Sequence, residues 1–402
     1  MEIVQTDYLI IGAGIVGLTF ALNLKSFFPR DKIVIIDKEA DIGFHASGRN
    51  SGVLHAGFYY HPDSLKAKFT RDGNLELKNY CEKKGLKINN CGKVVVAKNE
   101  EELEILYELK KRGYINGVEI YVITEKELSE IEPVAKTYKY ALWSPNTSVV
   151  DPLEILSSFK KDLTNLEVEF YFNTPYIKRV GTHIIKAGKY FFEYKYLINC
   201  AGLYADKVAK DFGLGENYVL IPFKGVYLEH SEKDPFIKTN IYPVPNLKTP
   251  FLGVHFTIKV DGIIKIGPTA MLCFWRENYK GMERFNFKEF IEVLGNFIPL
   301  AIKNKLVREV AFTELKKWYK EYLKKEASKM VKYFPMDKFN RWGKSGIRAQ
   351  LIDRRTFEFV NDFVIEENEE SIHILNAVSP GFTASLPFTR YVIEKYLLKK
   401  WR

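Results

Sequence analysis

The sequence predicts an α/β fold with two closely connected domains, and three observations support this prediction. Near the N-terminus, the apolar run YLII leads into a glycine-rich loop, an amphipathic helix and a second apolar run, IVIID. Later segments alternate apolar and polar residues in the manner of an antiparallel sheet. The chain of 402 residues is also long for a single hydrophobic core.

The glycine-rich loop of residues 12 to 17 is typical of dinucleotide binding in a Rossmann-like fold. Its first glycine permits a tight turn, its second lets the backbone approach a pyrophosphate, and its third lets the helix pack against the strand. The pyrophosphate is expected at the helix N-terminus, where free N–H groups and the dipole favour an anion. The loop residues predicted to bind the cofactor are Gly12, Ala13, Gly14, Ile15, Val16 and Gly17.

Asp37 lies at the end of the second predicted strand, twenty residues after Gly17. A carboxylate in this position accepts hydrogen bonds from an adenosine ribose, which favours FAD or NAD over NADP. The fingerprint occurs once and close to the N-terminus, so FAD is expected rather than NAD. Lys38, the next residue, is a further candidate contact with the cofactor.

The composition excludes several classes of protein. An apolar content of 46%, with 14% aromatic residues, is enough for a buried core and excludes a disordered chain. No apolar stretch approaches the roughly 20 residues needed to span a bilayer. The N-terminal residues run directly into a strand and leave no room for a signal peptide, which predicts a cytoplasmic protein. The four cysteines are far apart, so neither a disulfide framework nor a metal site is expected.

The net charge of +10 is spread through the chain, usually beside acidic residues. This pattern favours a solvated, lysine-rich surface, and no nucleic-acid partner is expected. Two alternatives stay open, namely attraction of an anionic substrate and docking on an anionic membrane surface. The pattern of residues 283 to 338 predicts amphipathic helices. These helices either pack within the substrate domain or form a surface that docks on a membrane, where the enzyme could pass electrons to a quinone.

Residues 43 to 60 are rich in glycine, serine and other small residues. Such backbone suits close approach to a bulky ligand, although an ordinary loop has the same composition. The candidate cofactor contacts in this segment are Ser47, Asn50, Ser51, Gly52 and Val53.

The string SGRNSGVLHAGFYYHPDSLKA in this region closely resembles the signature of the L-2-hydroxyglutarate oxidase/dehydrogenase family, a branch of the D-amino-acid-oxidase-like (DAO) FAD-dependent oxidoreductases. The resemblance extends through blocks in family order, including CGKVVVA, INCAGLYADKVA, YPVPNLKTPFLGVHFT, GIRAQLID and NAVSPGFTASL. Arg49 departs from the pattern, because many relatives have histidine there.

The resemblance implies a Rossmann-like FAD-binding domain of the DAO/glutathione-reductase type, interleaved with an antiparallel-sheet substrate domain. The FAD-binding domain would comprise residues 1–88, 150–215 and 340–402. The substrate domain would comprise residues 89–149 and 216–339.

The segment from Pro380 to Ser385 is expected to open a last helix of about residues 383 to 399, with Thr383 as its N-cap. Free N–H groups at this helix end would face the flavin and favour its reduced state. Beyond the loop, the resemblance implies cofactor contacts at Tyr176, Ala201, Gly202, Pro380, Gly381, Phe382, Thr383 and Ala384.

Oxidation of a secondary alcohol requires a base for the hydroxyl proton, and a neutral imidazole suits that role near pH 7. His55 is the first candidate, because it lies in the segment that the family brings to the flavin. His255 is the alternative, either as base or as a ligand of a carboxylate. His45 is a minor candidate for a covalent bond to the flavin.

A substrate with two carboxylates requires positively charged side chains in its binding site. Arg348 is the best candidate, since a guanidinium binds a carboxylate through two parallel hydrogen bonds and fixes its orientation. Lys66 and Lys224 are candidates for the distal carboxylate, although most lysines lie on the surface. Tyr60 could donate a further hydrogen bond.

The resemblance therefore implies FAD-dependent oxidation of L-2-hydroxyglutarate, or a close 2-hydroxy acid, to the 2-oxo acid, with oxygen or a quinone as the electron acceptor. One alternative is a related flavin enzyme acting on an amine, an amino acid or glycerol 3-phosphate. Another is a non-catalytic flavoprotein that binds RNA or a protein partner, which only the sequence pI near 9.0 supports.

Overall fold

The computed structural model describes residues 2–232, 235–247 and 251–399. Residues 248–250, which belong to the block YPVPNLKTPFLGVHFT, therefore lie outside the described residues. The same holds for residues 233 and 234 of the predicted substrate domain, and for residues 1 and 400–402 of the predicted FAD-binding domain.

The strands of the described residues follow one another in this order: β1 (Glu2–Ile11), β2 (Ile33–Ile36), β3 (Val53–Leu54), β4 (Ile88–Asn89), β5 (Lys93–Val96), β6 (Tyr121–Thr124), β7 (Tyr140–Ser144), β8 (Ser148–Val150), β9 (Glu169–Tyr171), β10 (Tyr176–Gly181), β11 (Ile184–Ala187), β12 (Tyr190–Asn199), β13 (Tyr218–Gly225), β14 (Leu228–His230), β15 (Asn240–Pro243), β16 (His255–Ile258), β17 (Ile264–Gly267), β18 (Met271–Leu272), β19 (Phe339–Trp342), β20 (Gly346–Asp353), β21 (Glu358–Phe359), β22 (Ile365–Glu367) and β23 (Ser371–Ile374).

The α-helices of the same residues are α1 (Ile15–Phe27), α2 (Leu65–Lys84), α3 (Glu100–Ile115), α4 (Glu125–Ile131), α5 (Pro152–Asn165), α6 (Ala205–Lys210), α7 (Phe287–Lys303), α8 (Lys305–Lys316), α9 (Lys320–Ser328) and α10 (Ser385–Val392). Short 3₁₀ segments lie at Ala46–Gly48, Gly202–Tyr204 and Met336–Lys338. A π-helical turn, Ile393–Leu397, follows α10.

The chain divides into two compact units, and each is discontinuous. The first unit comprises Met1–Asn50, Pro152–Ile221 and Arg348–Arg402. Its main sheet has the order β10-β11-β12-β1-β2-β9, and β23 pairs with β12 in parallel. The second half of β1 is buried on both faces, because parallel neighbours flank it and helices cover it. Helix α1 packs against α5 and α10.

The second unit comprises Ser51–Asp151 and Pro222–Ile347. Its largest sheet has the order β19-β14-β17-β16-β15-β5-β7-β6, and the pairs are antiparallel except for β15 with β5. One face packs on a core that includes Val94, Phe256 and Leu323. The other face carries Val95 and Tyr242, which pack with apolar residues of segment 56–59 and of α3.

The boundary differs from the predicted one where the chain first passes from the first unit to the second. Residues 51–88 were assigned from the sequence to the FAD-binding domain, whereas they cluster with the second unit. The physical reason is pairing and packing, because β3 and β4 both pair with β8, and Phe58 is fully buried in the core of the second unit. Sequence continuity with the glycine-rich loop does not reveal these contacts.

The last helix also differs from its prediction. It begins at Ser385 rather than Thr383, with Ala384 as an N-cap that makes no side-chain hydrogen bond. The prediction of Thr383 as the N-cap was therefore wrong. The α-helix ends at Val392, and the chain continues through the π-helical turn.

No helix within the described ranges is both long and apolar enough to cross a lipid bilayer.

Candidate functional site

The glycine loop of the first unit is shaped by two close backbone contacts. Gly12 has a φ of +105°, and a Cβ atom there would lie 2.5 Å from the carbonyl oxygen of Cys200. A Cβ atom on Gly17 would lie 2.0 Å from the carbonyl oxygen of Gly12. Both positions therefore require glycine for the strand, loop and helix to pack.

Gly14 has a different environment, because among the described residues its Cβ position faces only the Ser47 hydroxyl, at 3.1 Å. It is the N-cap of α1 and offers no side chain to the free N–H groups of the first turn. The Ser47 hydroxyl accepts a hydrogen bond from the Ile15 N–H group at 2.9 Å. The predicted contacts Gly14, Ile15 and Ser47 are thus brought together at a helix end that favours an anion.

Asp37 lies beside this loop at the end of β2. One carboxylate oxygen accepts a hydrogen bond from the Ala13 N–H group at 2.7 Å, and the other accepts one from the Glu39 N–H group at 2.9 Å. The Asp37 backbone is held by Tyr171 and Thr174 of the first unit. Because a carboxylate has about four acceptor sites, Asp37 can hold the loop and still accept ribose hydroxyls.

Several other predicted contacts of the first unit have structural roles of their own. Asn50 donates its amide to the carbonyl oxygen of Ser47 at 2.8 Å. The Ala201 N–H group donates to the Asn199 side chain, and Gly202 has a φ of +55°. A Cβ atom on Gly381 would lie 2.1 Å from the Ala377 carbonyl oxygen.

The side chains of Lys38 and Tyr176 contact residues outside the glycine loop. The Lys38 ammonium contacts the carboxylate of Glu39 and the imidazole of His45. Tyr176 packs against the core of the first unit, and its hydroxyl donates to Asp211 at 2.9 Å.

Arg348 is the first residue of the third piece of this unit. Its Nε–H group donates to the Gln350 side-chain oxygen at 3.0 Å. The Gln350 amide in turn donates to the carbonyl oxygens of Leu351 and Val360. Gln350 is fully buried, so its orientation, and with it that of the Arg348 guanidinium, is fixed by these bonds.

In the second unit, the structure buries both candidate histidines, with exposed fractions of 8% for His55 and 3% for His255. His255 lies on β16 and stacks on the ring of Tyr242, with centroids 3.8 Å apart. Its Nδ1–H group donates to the Gly253 carbonyl oxygen at 2.8 Å. A carbonyl oxygen only accepts, so the lone pair of a neutral His255 is at Nε2.

Burial is the main cause of the lowered pKa of both imidazoles. It lowers the pKa of His55 well below its usual value, and the charge of Lys93 adds to this effect. It lowers the pKa of His255 to about 3, against the smaller opposing effect of the Gly253 hydrogen bond. Both side chains are therefore neutral near pH 7.

Lys93 was not predicted from the sequence, and its Nζ atom lies 4.9 Å from the ring centroid of Tyr242, on which His255 stacks. Lys93 is the first residue of β5 and is fully buried. Its charge lowers the pKa of both histidines, as a smaller influence than burial. The available signal was a lysine at the start of the apolar run VVVA, in a strand that is otherwise typical of a core.

The remaining candidates of the second unit lie on separate elements. Lys66 is buried in the first turn of α2, whose N-cap is Ser64. The Lys224 ammonium donates to the Asn278 carbonyl oxygen at 3.0 Å. The Tyr60 carbonyl oxygen accepts a hydrogen bond from Asn116.

The predicted cofactor contacts Ser51, Gly52 and Val53 make structural contacts within the second unit. The Gly52 carbonyl oxygen accepts a hydrogen bond from the Val150 N–H group at 2.9 Å. Val53 pairs with Val149, and the Tyr227 hydroxyl interacts with Ser51. Any role of these residues toward a cofactor is therefore combined with a structural one.

Comparison with known sequences decides the family. The profile of the DAO family, described as FAD dependent oxidoreductase, matches residues 7–394. This chain belongs to the DAO family of FAD dependent oxidoreductases. The match covers nearly the whole chain, so it includes both compact units.

The relatives of this DAO-family chain agree with the resemblance found in its sequence. It is 37% identical over 404 residues to L-2-hydroxyglutarate dehydrogenase of Indibacter alkaliphilus, covering 98% of this chain and 99% of that one. It is 32% identical over 401 residues to the enzyme of that name from Escherichia coli strain K12, covering 97% and 92%. It is 35% identical over 417 residues to the mitochondrial one of Homo sapiens, covering 97% and 88%. The resemblance to this branch is confirmed.

Solved structures confirm the predicted fold. L-α-glycerophosphate oxidase from Mycoplasma pneumoniae, a structure with FAD bound, has a TM-score of 0.77 at 24% identity, covering 100% of this chain and 96% of that one. Glycine oxidase from Geobacillus kaustophilus has a TM-score of 0.70 at 16% identity, covering 98% and 95%.

The DAO-family cofactor fits the glycine loop described above. The Gly14 Cβ position faces the Ser47 hydroxyl, whereas Gly12 and Gly17 are needed for packing. An open glycine between two packing glycines, at the N-terminus of a 13-residue helix, is what a pyrophosphate requires. The prediction of FAD as the cofactor is confirmed by the family.

Proposed function

We propose that the protein oxidises L-2-hydroxyglutarate, or a close 2-hydroxy acid, to the corresponding 2-oxo acid. The observation that carries this proposal is identity of 32% to 37% with L-2-hydroxyglutarate dehydrogenases of three organisms, over at least 97% of this chain. Bound FAD supplies the hydride acceptor of the reaction at its N5 atom.

The roles of the protein residues follow from what the reaction must move. The C–H bond yields a hydride and the hydroxyl yields a proton, so a neutral base is needed beside the substrate. We assign this role to His55, with His255 as the alternative. Both imidazoles are neutral near pH 7, which is the form that a base requires.

We assign the orientation of the substrate to the positively charged side chains. Arg348 would hold the carboxylate next to the reacting carbon, because its guanidinium is already oriented by Gln350. Lys66 and Lys224 are assigned to the distal carboxylate, and Tyr60 to a further hydrogen bond. The N–H groups at the start of α10 would favour the negative charge of the reduced cofactor.

The test is anaerobic reduction of the purified flavoprotein. L-2-Hydroxyglutarate should bleach the flavin absorbance, whereas D-2-hydroxyglutarate should bleach it much more slowly. Glycerol 3-phosphate and amino acids test the alternative substrates. A protein that none of these compounds reduces would be a non-catalytic flavoprotein, and the proposal would fail.

We further propose that the protein works in the cytoplasm and docks on the inner face of the cell membrane. Helices α7 and α8 expose a set of large apolar side chains, which we name the α7–α8 apolar surface: Phe287, Ile291, Ile298, Ile302, Phe312 and Leu315. Lysines flank this surface, as in helices that lie at an anionic lipid interface. Docking there would bring the enzyme to a membrane quinone, the proposed electron acceptor in place of oxygen.

Vesicle sedimentation tests this docking. The protein should sediment with vesicles that contain phosphatidylglycerol and much less with pure phosphatidylcholine. The double substitution Ile302→Ser and Phe312→Ser should abolish sedimentation. Tyr114→Ser is the matched control, because Tyr114 is 81% exposed on α3, outside the surface. Equal loss in the control would contradict a specific docking surface.

A further inference from the structure

Three polar side chains of the first unit lie next to one another in its main sheet. Asn199 is the last residue of β12, and His373 is aligned with it on the neighbouring parallel strand, β23. Ser371 lies two residues before His373 on β23, so its side chain points to the same face of the sheet. All three residues are fully buried. Polar groups in such surroundings need hydrogen-bond partners.

Two backbone groups fix the orientation of the Asn199 amide. Its Oδ1 atom accepts a hydrogen bond from the Ala201 N–H group at 3.1 Å, and its Nδ2 atom donates to the Ala205 carbonyl oxygen at 2.8 Å. A backbone N–H group only donates and a carbonyl oxygen only accepts, so the amide cannot be turned over. The Nδ2 atom also contacts Nδ1 of His373 at 2.9 Å. Because Nδ2 is the donor, Nδ1 of His373 must be the acceptor.

The proton of the neutral His373 imidazole therefore lies on Nε2. Nε2 donates to the Ser371 hydroxyl oxygen at 2.9 Å, and this hydroxyl donates to Oδ1 of Asn368 at 2.8 Å. Asn368 lies in the turn between β22 and β23. A protonated imidazole would direct an N–H group at the amide hydrogens of Asn199, so only the neutral form fits. Burial lowers the pKa of His373 to about 3, in agreement with this form.

The segment that Asn199 holds, residues 200–205, lies directly against the glycine loop. A Cβ atom on Gly12 would lie 2.5 Å from the carbonyl oxygen of Cys200 and 3.4 Å from the Cα atom of Ala201. Contacts this close leave the loop no room to move independently of the segment. The position of segment 200–205 therefore sets the position of Gly12 and of the loop residues that follow it.

Packing alone does not account for a histidine at this place. The neighbouring residues of β23, Ile372 and Ile374, are buried and apolar. Replacing a buried hydrogen-bonded pair by apolar groups of the same shape can be nearly neutral for stability. A histidine offers an acceptor on one side and a donor on the other. It thereby connects the turn at Asn368 to the segment beside the glycine loop.

We propose that His373 is a positioning residue for FAD. Its Nδ1 atom holds the Asn199 amide in the orientation that fixes segment 200–205 against Gly12, and so shapes the backbone that binds the pyrophosphate. In this role His373 acts through Asn199 and not by contact with the cofactor. The proposal concerns cofactor binding, so it does not depend on which substrate the enzyme oxidises.

Loss of the Nδ1 acceptor has a definite physical consequence. The Asn199 Nδ2 atom would keep a buried donor without a partner, which is costly. The protein without FAD can relieve this cost by turning the amide, which releases Ala201 or Ala205. FAD would then bind a conformation that is only partly populated, and its affinity would fall in proportion to that population.

Two substitutions of similar polarity test the proposal. Asparagine can place its side-chain oxygen near the position of Nδ1, whereas glutamine reaches the position of Nε2. His373→Asn should keep the FAD dissociation constant within about threefold of the wild type, since the hydrogen bond is retained. His373→Gln should raise the constant by about 5- to 150-fold, the usual cost of a buried donor without an acceptor. Serial dilution of the FAD-loaded proteins measures the constant through the fluorescence of released flavin.

A role in packing alone predicts the opposite order. Asparagine is smaller than histidine and leaves a larger cavity than glutamine does. Equal affinities in the two variants, or weaker binding in His373→Asn, would therefore overturn the proposal.

Two further variants locate the effect. Ser371→Ala removes the partner of Nε2 but leaves the bond between His373 and Asn199, so it should weaken FAD binding much less than His373→Gln. In an Asn199→Ala background, His373→Gln should cause little further loss, because its effect passes through Asn199. An equal loss in Ser371→Ala, or a full further loss in the double variant, would assign the histidine to general stability instead.

NMR of the wild-type, FAD-loaded protein gives an independent measurement. With histidine-selective ¹⁵N labelling, His373 is assigned by the signals that His373→Gln lacks, and it should carry its proton on Nε2. A proton on Nδ1 would overturn the proposal even if neither variant of His373 folds. Failure of L-2-hydroxyglutarate to bleach the flavin would instead remove the proposed function, while the FAD affinities would still decide the role of His373.

Discussion

The imidazole of His255 stacks on the phenol ring of Tyr242, with the ring planes inclined by 19°. This contact and the hydrogen bond to Gly253 hold the imidazole in one orientation. His255 is therefore more firmly positioned than a surface histidine, which is why it remains a serious rival to His55 as the base.

Substitution of the two histidines separates their roles. His55→Ala should retain FAD and slow anaerobic flavin reduction by about 10²- to 10⁴-fold, the usual contribution of general base catalysis. His255→Ala should have a smaller effect on this step. Stopped-flow absorbance measures both rates, with the flavin-to-protein ratio as a check on cofactor content. The reverse order of effects would assign the base to His255.

The glycine loop allows cofactor binding to be separated from folding. Gly14→Val should fold and lose FAD, because the new side chain projects toward Ser47 at the helix N-terminus. Gly17→Val should fail to fold, because even its Cβ atom would clash with the Gly12 carbonyl group. Flavin absorbance and circular dichroism distinguish the two outcomes. Gly181→Ala is the control, since its Cβ position has no neighbour within 4 Å. Stoichiometric FAD in Gly14→Val would refute the loop assignment.

Arg348 provides a test of substrate orientation. Arg348→Lys keeps the charge but loses the planar fork, and should lower kcat/KM for 2-hydroxyglutarate by about 10- to 150-fold, as expected for one charge-assisted hydrogen bond. Arg348→Met should cost more. Arg355→Lys is the matched control, because Arg355 pairs with Asp353 at the surface of the same unit. No loss in Arg348→Lys would remove the carboxylate assignment.

The distal carboxylate is tested by comparing two substrates. Lys66→Met should lower kcat/KM for 2-hydroxyglutarate far more than for lactate, which lacks the second carboxylate. Steady-state assays with both acids measure the ratio, and Lys224→Met provides the parallel comparison. Equal losses on the two acids would indicate a structural role for Lys66, which is already buried in α2.

Burial of the Lys93 ammonium makes the stability of the protein depend on pH. Its pKa is about 7 in the folded protein, against 10.5 for an ordinary lysine. Below about pH 7 Lys93 is charged in both states, so the folded protein bears the full cost of the buried charge. Between about pH 7 and 10.5 the unfolded chain binds more protons than the folded protein, so the free energy of unfolding rises with pH. Lys93→Met should therefore raise the Tm by roughly 1–2 °C per kcal/mol recovered, as expected for a chain of this length. The increase should be larger at pH 6 than at pH 9. Thermal melts of both FAD-loaded proteins measure it, and a difference that grows with pH would contradict the buried charge.

The dinucleotide loop was predictable because its determinants are local. Gly12, Gly14, Gly17 and Asp37 lie within one strand–helix–strand unit, where the spacing along the chain sets the spacing in the fold. Family membership was also evident from the sequence, since the matching blocks occur in order along nearly the whole chain. The composition likewise predicted a folded core without a membrane span.

Other features depended on contacts between distant segments. The assignment of residues 51–88 to the second unit follows from the pairing of β3 with β8, about a hundred residues away. The last helix starts at Ser385 although Thr383 is the better capping residue, since a local preference worth about 1 kcal/mol is too small to fix a helix start by itself. The burial of Lys93 required β5, β15 and segment 56–59 to meet. The sequence by itself determined the family and the cofactor loop, whereas tertiary structure decided which charges are buried, because burial depends on neighbours that only the folded chain provides.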